Sequence, residues 1–138
     1  MRVLALDYGS ARCGCAVSDP TGVLATPLEP VLAPASRTGM SRLVALVEEL
    51  GAERVVVGLP LTLAGTDSAQ TREARSFAAR LGRRLGVPVE LFDERFTTVL
   101  AQRSPQDART SEDSRAAAHL LSGWLDAHGE RRRTEEDV

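Results

Sequence analysis

The feature that most constrains the fold is the apolar run Arg54–Leu59, with the sequence RVVVGL. Three consecutive β-branched valines favour an extended strand, and the run lacks the alternation of apolar and polar residues seen in half-exposed strands. A continuous apolar strand needs cover on both faces, as in the parallel sheets of α/β proteins. The run therefore predicts a central strand that lies between layers of helices.

Three shorter apolar segments precede this strand. Residues 2–7 (RVLALD) and 12–18 (RCGCAVS) are joined by a turn-like link, and this pattern predicts a β-hairpin. After a second turn, residues 23–28 are predicted to form a third strand antiparallel to the second. Three prolines then indicate that the chain leaves the sheet: Pro27, Pro30 and Pro34.

Two stretches with apolar residues at helical spacing flank the central strand. Residues 38–50 carry apolar side chains on one helical face and end at Gly51, a natural helix stop. A longer helix is predicted to begin after Asp67 or Ser68, either of which can cap it, and to end near Leu85. The opposite face of this helix carries a row of arginines, which is typical of a solvated surface but could also contact phosphate groups: Arg72, Arg75, Arg80, Arg83 and Arg84.

The rest of the chain adds a strand at residues 87–92, a helix at 97–103 and a last helix at 113–128. The resulting order, βββαβαβαα, predicts an α/β fold with a five-stranded mixed sheet flanked by α-helices on both faces. One domain is expected over residues 1–128, because 138 residues suffice for a single domain of ordinary size. Residues 129–138 are charged and lack an apolar anchor, so we expect a disordered tail.

Composition limits the class of protein. The 43% hydrophobic and 26% charged residues are ordinary for a globular protein, and the net charge of −2 lacks the basic excess typical of nucleic-acid binders. No apolar stretch approaches the roughly 20 residues needed to cross a bilayer, and no signal-peptide pattern is recognisable. The expected location is therefore the cytoplasm, with no membrane partner.

The two cysteines, Cys13 and Cys15, point to the same face of one predicted strand. A disulfide between them would be badly strained, so they are expected to be reduced and to fill the core. A zinc site would need two further ligands, for which His119 and His128 offer no recognisable spacing.

Three acidic residues are predicted to reach one edge of the sheet. Asp7 ends the first strand, Glu94 follows the fifth strand, and Asp113 opens the last helix on the face that packs inward. Each has a purely structural alternative. Asp7 could cap a turn, Glu94 could pair with a surface arginine, and Asp113 could stabilise the helix N-terminus.

Three converging carboxylates would need a cation, because two unit charges 4 Å apart repel by about 4 kcal/mol at an effective dielectric near 20. Ligands that are all oxygen atoms suit Mg²⁺ or Mn²⁺. Two such ions can activate a water nucleophile and stabilise the leaving oxygen of a phosphoryl displacement, without a side-chain nucleophile. The acids therefore predict a metal-dependent hydrolase of phosphodiester bonds.

Four segments resemble the YqgF/RuvX family: residues 4–12 (LALDYGSAR), 57–61 (VGLPL), 93–98 (DERFTT) and 113–118 (DSRAAA). The resemblance implies an RNase H-like fold similar to that of RuvC-type Holliday-junction resolvases. It also implies a nuclease that matures the 5′ end of pre-16S rRNA or resolves branched DNA. By this resemblance Asp7, Glu94 and Asp113 match the three catalytic acids of the family, which are also its metal ligands, and Asp93 matches a supporting residue.

The segment before Asp113 departs from the family, because it is shorter and carries QDARTSE in place of a basic stretch. Residues predicted to contact the substrate are Gly9, Ser10, Arg12, Arg95, Thr97 and Arg109. RNA is favoured over DNA as the nucleic-acid partner, because a junction resolvase should dimerise and the sequence shows no self-complementary patch. A monomer or a homodimer is expected.

The sequence is also compatible with two other classes of protein. An actin-like ATPase domain shares a related fold and the Asp-x-Gly turn, but such proteins close two domains over the nucleotide, and this chain has the length of one. A non-catalytic RNA-binding module would keep the fold and leave the acids unused. Thermal stabilisation by ATP would favour the ATPase domain. RNA binding that does not need the three acids would favour the non-catalytic module.

Overall fold

The computed structural model describes residues 1–61, 64–94 and 112–136, and for residues 129–136 it describes the backbone alone. In chain order the elements of these ranges are β1 (Val3–Asp7), β2 (Arg12–Ser18), β3 (Ala25–Leu32), α1 (Arg37–Leu50), β4 (Arg54–Leu59), α2 (Ala69–Arg84), β5 (Val89–Asp93) and α3 (Glu112–Glu136).

The strands form one five-stranded mixed sheet in the order β3-β2-β1-β4-β5. Strands β1, β2 and β3 are antiparallel neighbours, whereas β4 runs parallel to both β1 and β5. The valines of β4 have no exposed surface (0%), as their uninterrupted apolar run predicts. The carboxyl ends of β1, β4 and β5 consequently meet at the same edge of the sheet.

The alternation of side chains in the strands divides the core into two halves. Leu4 and Leu6 of β1 pack with apolar residues of α1 and α2. Val3 and Ala5, which point the other way, pack with Leu120 and other residues of α3. Helices therefore cover both faces of the sheet, and this confirms the predicted three-layer fold.

Local hydrogen bonds fix where α2 begins. Ser68 caps the helix, accepting a hydrogen bond from the Thr71 backbone N–H at 3.2 Å, and the Thr71 hydroxyl completes a reciprocal capping box. The same hydroxyl donates to the backbone oxygen of Pro60 at 2.7 Å. The start of α2 is thus tied to the residue that follows β4, and Ser68 is confirmed as the cap.

Strand β3 differs from the prediction at both of its ends. It continues through Pro27 and Pro30 to Leu32, because an edge strand can hold prolines whose missing N–H faces away from the sheet. It begins at Ala25 because the N–H groups of the two preceding residues donate to the side chain of Asp19 in the turn. The prediction that prolines 27 and 30 mark the exit from the sheet was wrong.

Helix α3 also differs in length. Its backbone is helical as far as Glu136, whereas the sequence pattern placed its end near His128. Glu and Arg dominate residues 129–136, and both are good helix formers even without an apolar face. The division into a domain at 1–128 and a tail stays a prediction, and the helix predicted at 97–103 lies outside the described residues.

The cysteine prediction is confirmed, since Cys13 and Cys15 are both free thiols and both fully buried among apolar side chains. A register irregularity between them interrupts the pairing of β2 with β3. Among the described residues, no helix is long and apolar enough to span a membrane.

Candidate active site

Asp7 reaches the carboxyl edge of the sheet on the side covered by α3. Alternate residues of a strand share a face, so Asp7 follows Val3 and Ala5, which both pack against that helix. Its backbone pairs with Gly14 of the neighbouring strand β2. The Asp7 side chain is partly buried and lies at the edge of the core half that packs against α3.

Glu94 lies on the same side because Phe92, two residues earlier, also packs against the α3 half of the core. A Cβ atom at Gly58 would lie 2.6 Å from the Glu94 Oε1 atom, so the absence of a side chain in β4 makes room for this carboxyl group. Asp93 has the opposite orientation by strand alternation. Of the two adjacent acids, Glu94 is therefore the one that meets Asp7.

The first turn of α3 lies directly against β2. A Cβ atom at Gly14 would overlap the backbone carbonyl of Asp113 and lie 2.9 Å from the Ser114 nitrogen. The buried Ser114 hydroxyl accepts a hydrogen bond of 3.3 Å from the Cys15 backbone N–H. These contacts place Asp113 beside the backbone pair that contains Asp7.

The carboxyl groups of Asp7 and Glu94 are joined by a hydrogen bond. Burial is the main cause that raises the pKa of Glu94, to about 7, and the bond to Asp7 and the charges of Asp7 and Asp93 add to it. Burial also raises the pKa of Asp7, an effect that the bond to Glu94 opposes and the charge of Asp113 reinforces. Glu94 is thus the protonated member of the pair, and it donates a hydrogen bond to Asp7 until the pH rises to about 7.

Asp113 is less enclosed. Its Oδ2 atom lies 3.7 Å from the Nε atom of Arg12, and the two side chains are 41% and 57% exposed. An ion pair this exposed adds little stability. It does place the Arg12 guanidinium group next to Asp113.

The three acids do not all come within ligand distance of one another. Among the described residues, no group of three or more His, Cys, Asp or Glu side chains is arranged to hold a metal ion. Asp7 and Glu94 touch, whereas Asp113 acts on Asp7 through its charge and its side chain turns to Arg12. Of the three acids predicted to converge, Asp7 and Glu94 are in contact, and Asp113 lies nearby without contacting them.

The structure locates some of the residues predicted to contact the substrate. At Gly9, a Cβ atom would lie 2.7 Å from the Arg12 backbone oxygen, so the hairpin turn needs glycine there. Ser10 is exposed at the same turn. The other three predicted contacts lie outside the described residues: Arg95, Thr97 and Arg109.

Two residues that make room for the acids, Gly14 and Gly58, were not predicted to have this role. A signal was present, because each glycine interrupts an otherwise apolar strand, and such a position often marks a close approach of another part of the chain. Ser114, which fixes the start of α3 against β2, was also missed. A lone serine in a first helical turn carries no comparable signal.

The sheet order, the helix layers and the acids at the carboxyl edge define an RNase H-like protein. The fold matches the structure titled "T. thermophilus RuvC in complex with Holliday junction substrate" with a TM-score of 0.67 at 17% identity, covering 94% of this chain and 96% of that one. A second Thermus thermophilus RuvC structure gives a TM-score of 0.63 at 19% identity, covering 94% and 97%. The expected RNase H-like fold is confirmed.

Sequence comparison specifies the family. A family model described as "RuvX: Holliday junction resolvase" matches residues 1–127. The chain is 44% identical over 135 residues to a protein of Koribacter versatilis, covering 93% of this chain and 88% of that protein. It is 47% identical over 133 residues to a protein of Mycolicibacterium paratuberculosis, covering 91% and 80%. Both relatives carry the provisional name pre-16S rRNA nuclease, and the chain belongs to the RuvX family.

The close approach of Gly14 to the Asp113 backbone leads to a prediction about the stability of the fold. Gly14→Ala should lower the free energy of unfolding by at least about 2 kcal/mol, because the added methyl group forces α3 away from β2. Gly86→Ala is the matched control, since a Cβ atom there meets nothing within 4 Å, and it should leave stability unchanged or slightly raised. Urea denaturation measures both, and equal effects would contradict the proposed contact.

The raised pKa of Glu94 makes a prediction about pH. A carboxyl group that titrates near 4.5 when unfolded and about 7 when folded stabilises the fold at low pH and loses that contribution as the pH rises through 7. In EDTA, wild-type stability should fall by on the order of 2 kcal/mol between pH 5 and 8. Glu94→Gln, which cannot ionise, should flatten this profile.

The control for the pH profile is Glu48→Gln, an exposed position on α1, which should keep the wild-type pH dependence. Denaturant midpoints at several pH values give the comparison. A profile of Glu94→Gln as steep as that of the wild type would show that Glu94 ionises at an ordinary pH.

Proposed function

We propose that this protein is a metal-dependent nuclease that hydrolyses phosphodiester bonds in pre-16S rRNA during maturation of its 5′ end. The observation that carries the proposal is the hydrogen-bonded pair Asp7–Glu94 with Asp113 beside it, at the carboxyl edge of an RNase H-like sheet. The names of its relatives support RNA as the substrate.

The chemistry of the acids fits a hard divalent cation. Asp7 and Glu94 offer only oxygen donors, and burial raises the pKa of both carboxyl groups, so a bound cation would stabilise their charged forms. Asp7 and Glu94 would hold Mg²⁺ or Mn²⁺, with Asp113 as the third ligand. When bound, such ions activate water and stabilise the developing charge on the leaving oxygen.

The protein residues have distinct parts in this proposal. Glu94 would release its proton to solvent on binding a cation, and both members of the pair would then hold the ion as carboxylates. Arg12 lies next to Asp113 with an exposed guanidinium group, which can donate two hydrogen bonds to a phosphate group placed at the acids. Arg12 thereby orients the scissile phosphate. The acids, which carry the same sign of charge as the phosphate, do not have to bind it directly.

Resolution of branched DNA is the second candidate function. The description of the matched family favours it, and so does the fold shared with a RuvC that was solved with a Holliday junction. A resolvase should cut both strands of a junction symmetrically, which needs two copies of the site. This requirement separates the two candidates in solution, because an RNA-processing enzyme can act as a monomer.

The substrate experiment offers the purified protein four labelled substrates in parallel with Mg²⁺ or Mn²⁺. These are structured 5′-extended 16S rRNA precursor, unstructured single-stranded RNA, single-stranded DNA and a four-way DNA junction. We expect cleavage of the precursor near the mature 5′ end and little cutting of the junction. Symmetric cleavage of the junction alone would overturn the RNA assignment.

The acids make a further prediction about activity. Asp7→Asn, Glu94→Gln and Asp113→Asn should each lower metal-dependent cleavage by at least about 100-fold, because each removes a charged ligand near the reacting phosphate. The matched control is Glu112→Gln, an exposed acid next to Asp113 on α3, which should retain activity. Full cleavage by any of the three variants would remove that residue from the site.

A further inference from the structure

A second feature lies between α1 and α2, on the sheet face opposite the acids. Four arginines line an open cleft of about 340 Å³ together with Met40, and we call it the α1–α2 arginine cleft. Its arginines are Arg37 from α1 and Arg80, Arg83 and Arg84 from α2. All four are exposed, and the cleft combines a residue of one helix with the arginine row of the other.

The positive charge of the cleft is not neutralised within the described part of the chain. None of the four arginines forms an ion pair with a described carboxylate, whereas other arginines do, such as Arg54 with Glu90 at 2.9 Å. Arg80 and Arg84 donate to neutral oxygens, the Ala35 carbonyl at 3.0 Å and the Ser41 hydroxyl at 3.3 Å. A chain of net charge −2 thus concentrates unpaired guanidinium groups in one place.

Helix stability does not explain all of these positions. Arg83 and Arg84 lie in the last turn of α2, where a cation interacts favourably with the helix dipole. Arg37 is the first residue of α1, where the same interaction is unfavourable. Its presence there, next to three further cations, costs stability and therefore points to an anionic ligand.

The cleft adjoins the edge of the sheet that carries the acids. Tyr8 directly follows Asp7, and its ring stacks on Phe77 of α2 with the ring centroids 4.6 Å apart. Arg80 of the cleft lies one helical turn after Phe77 on α2. A polyanion that passes over Tyr8 can thus reach both the acids and the cleft.

We propose that the α1–α2 arginine cleft binds the phosphodiester backbone of the nucleic-acid substrate outside the catalytic edge. The proposal rests on the proposed function and extends it, because it assigns a backbone-binding surface that composition alone did not reveal. Guanidinium groups suit this ligand, since they donate paired hydrogen bonds to phosphate oxygens. Contacts of this kind position a strand without reading its sequence.

The test measures RNA binding in EDTA, so that no cleavage occurs. Fluorescence anisotropy follows a labelled single-stranded RNA of about 20 nucleotides across roughly 50 to 200 mM salt. Arg37→Gln and Arg83→Gln should each weaken binding on the order of tenfold at the lowest salt and reduce the salt slope by about 0.7. Arg72→Gln is the matched control, an exposed arginine of α2 outside the cleft, and it should bind as the wild type does.

Thermal melting of the same variants supplies a second measurement. Arg37→Gln should melt at the wild-type temperature or above it, because it removes a cation from the start of a helix. Lower affinity together with unchanged or higher stability cannot come from damage to the fold. Equal affinity of Arg37→Gln, Arg83→Gln and Arg72→Gln would overturn the proposal, as would a wild-type protein that binds no RNA.

The outcome is separate from that of the proposed function. Cleavage that is lost in the acid variants while the cleft variants bind RNA normally would support the nuclease and overturn the cleft. Salt-dependent binding that is lost in the cleft variants, without cleavage of any substrate, would support the cleft as a nucleic-acid surface and overturn the nuclease.

Discussion

The site depends on one backbone contact, where the start of α3 lies directly on strand β2 at Gly14. No other residue type fits there, because any Cβ atom would overlap the Asp113 carbonyl. The contact sets the height of α3 above the sheet, brings Ser114 to the Cys15 N–H and places Asp113 beside Asp7. Gly58 does the same for Glu94 on the other side of β1. Asp7 and Glu94 meet, and Asp113 lies beside them, because each of the two strands that flank β1 has a glycine at this level of the sheet.

Periodicity in the sequence was enough to predict the layers and two of the acids. The apolar run of β4 required cover on both faces, and the position of Asp7 at the end of β1 follows from counting alternate residues along the strand. The choice of Glu94 over Asp93 came from the family resemblance, and the packing of Phe92 against α3 supplies a physical reason for it. Where an element ends was harder to predict, because the prolines of β3 are acceptable only at the edge of a sheet, and edge position is a property of the whole topology.

The sequence could not show which helices lie side by side. The arginines of α2 form an ordinary polar face when that helix is considered alone, and Arg37 looks like an isolated surface residue of α1. Only the packing of α1 beside α2 places them in one cleft. In the same way, the pairing of Arg12 with Asp113 joins residues about 100 positions apart, and local patterns carry no information about such a contact.

Packing in the α3 half of the core also affects the acid–base behaviour of Glu94. Glu94 is enclosed by the same α3 side of the core that Leu120 fills, since a Cβ atom at Gly58 would lie 3.0 Å from the Leu120 Cδ2 atom and 2.6 Å from Glu94 Oε1. This enclosure raises the pKa of Glu94 to about 7, so the pair with Asp7 keeps a proton to a higher pH than exposed carboxylates do. If the acids bind a divalent cation as proposed, the cation would have to displace that proton, and close packing of α3 would make the affinity for metal depend on pH. Looser packing of α3 would let water reach the carboxyl groups, lower the pKa of Glu94 and weaken the pH dependence of metal binding.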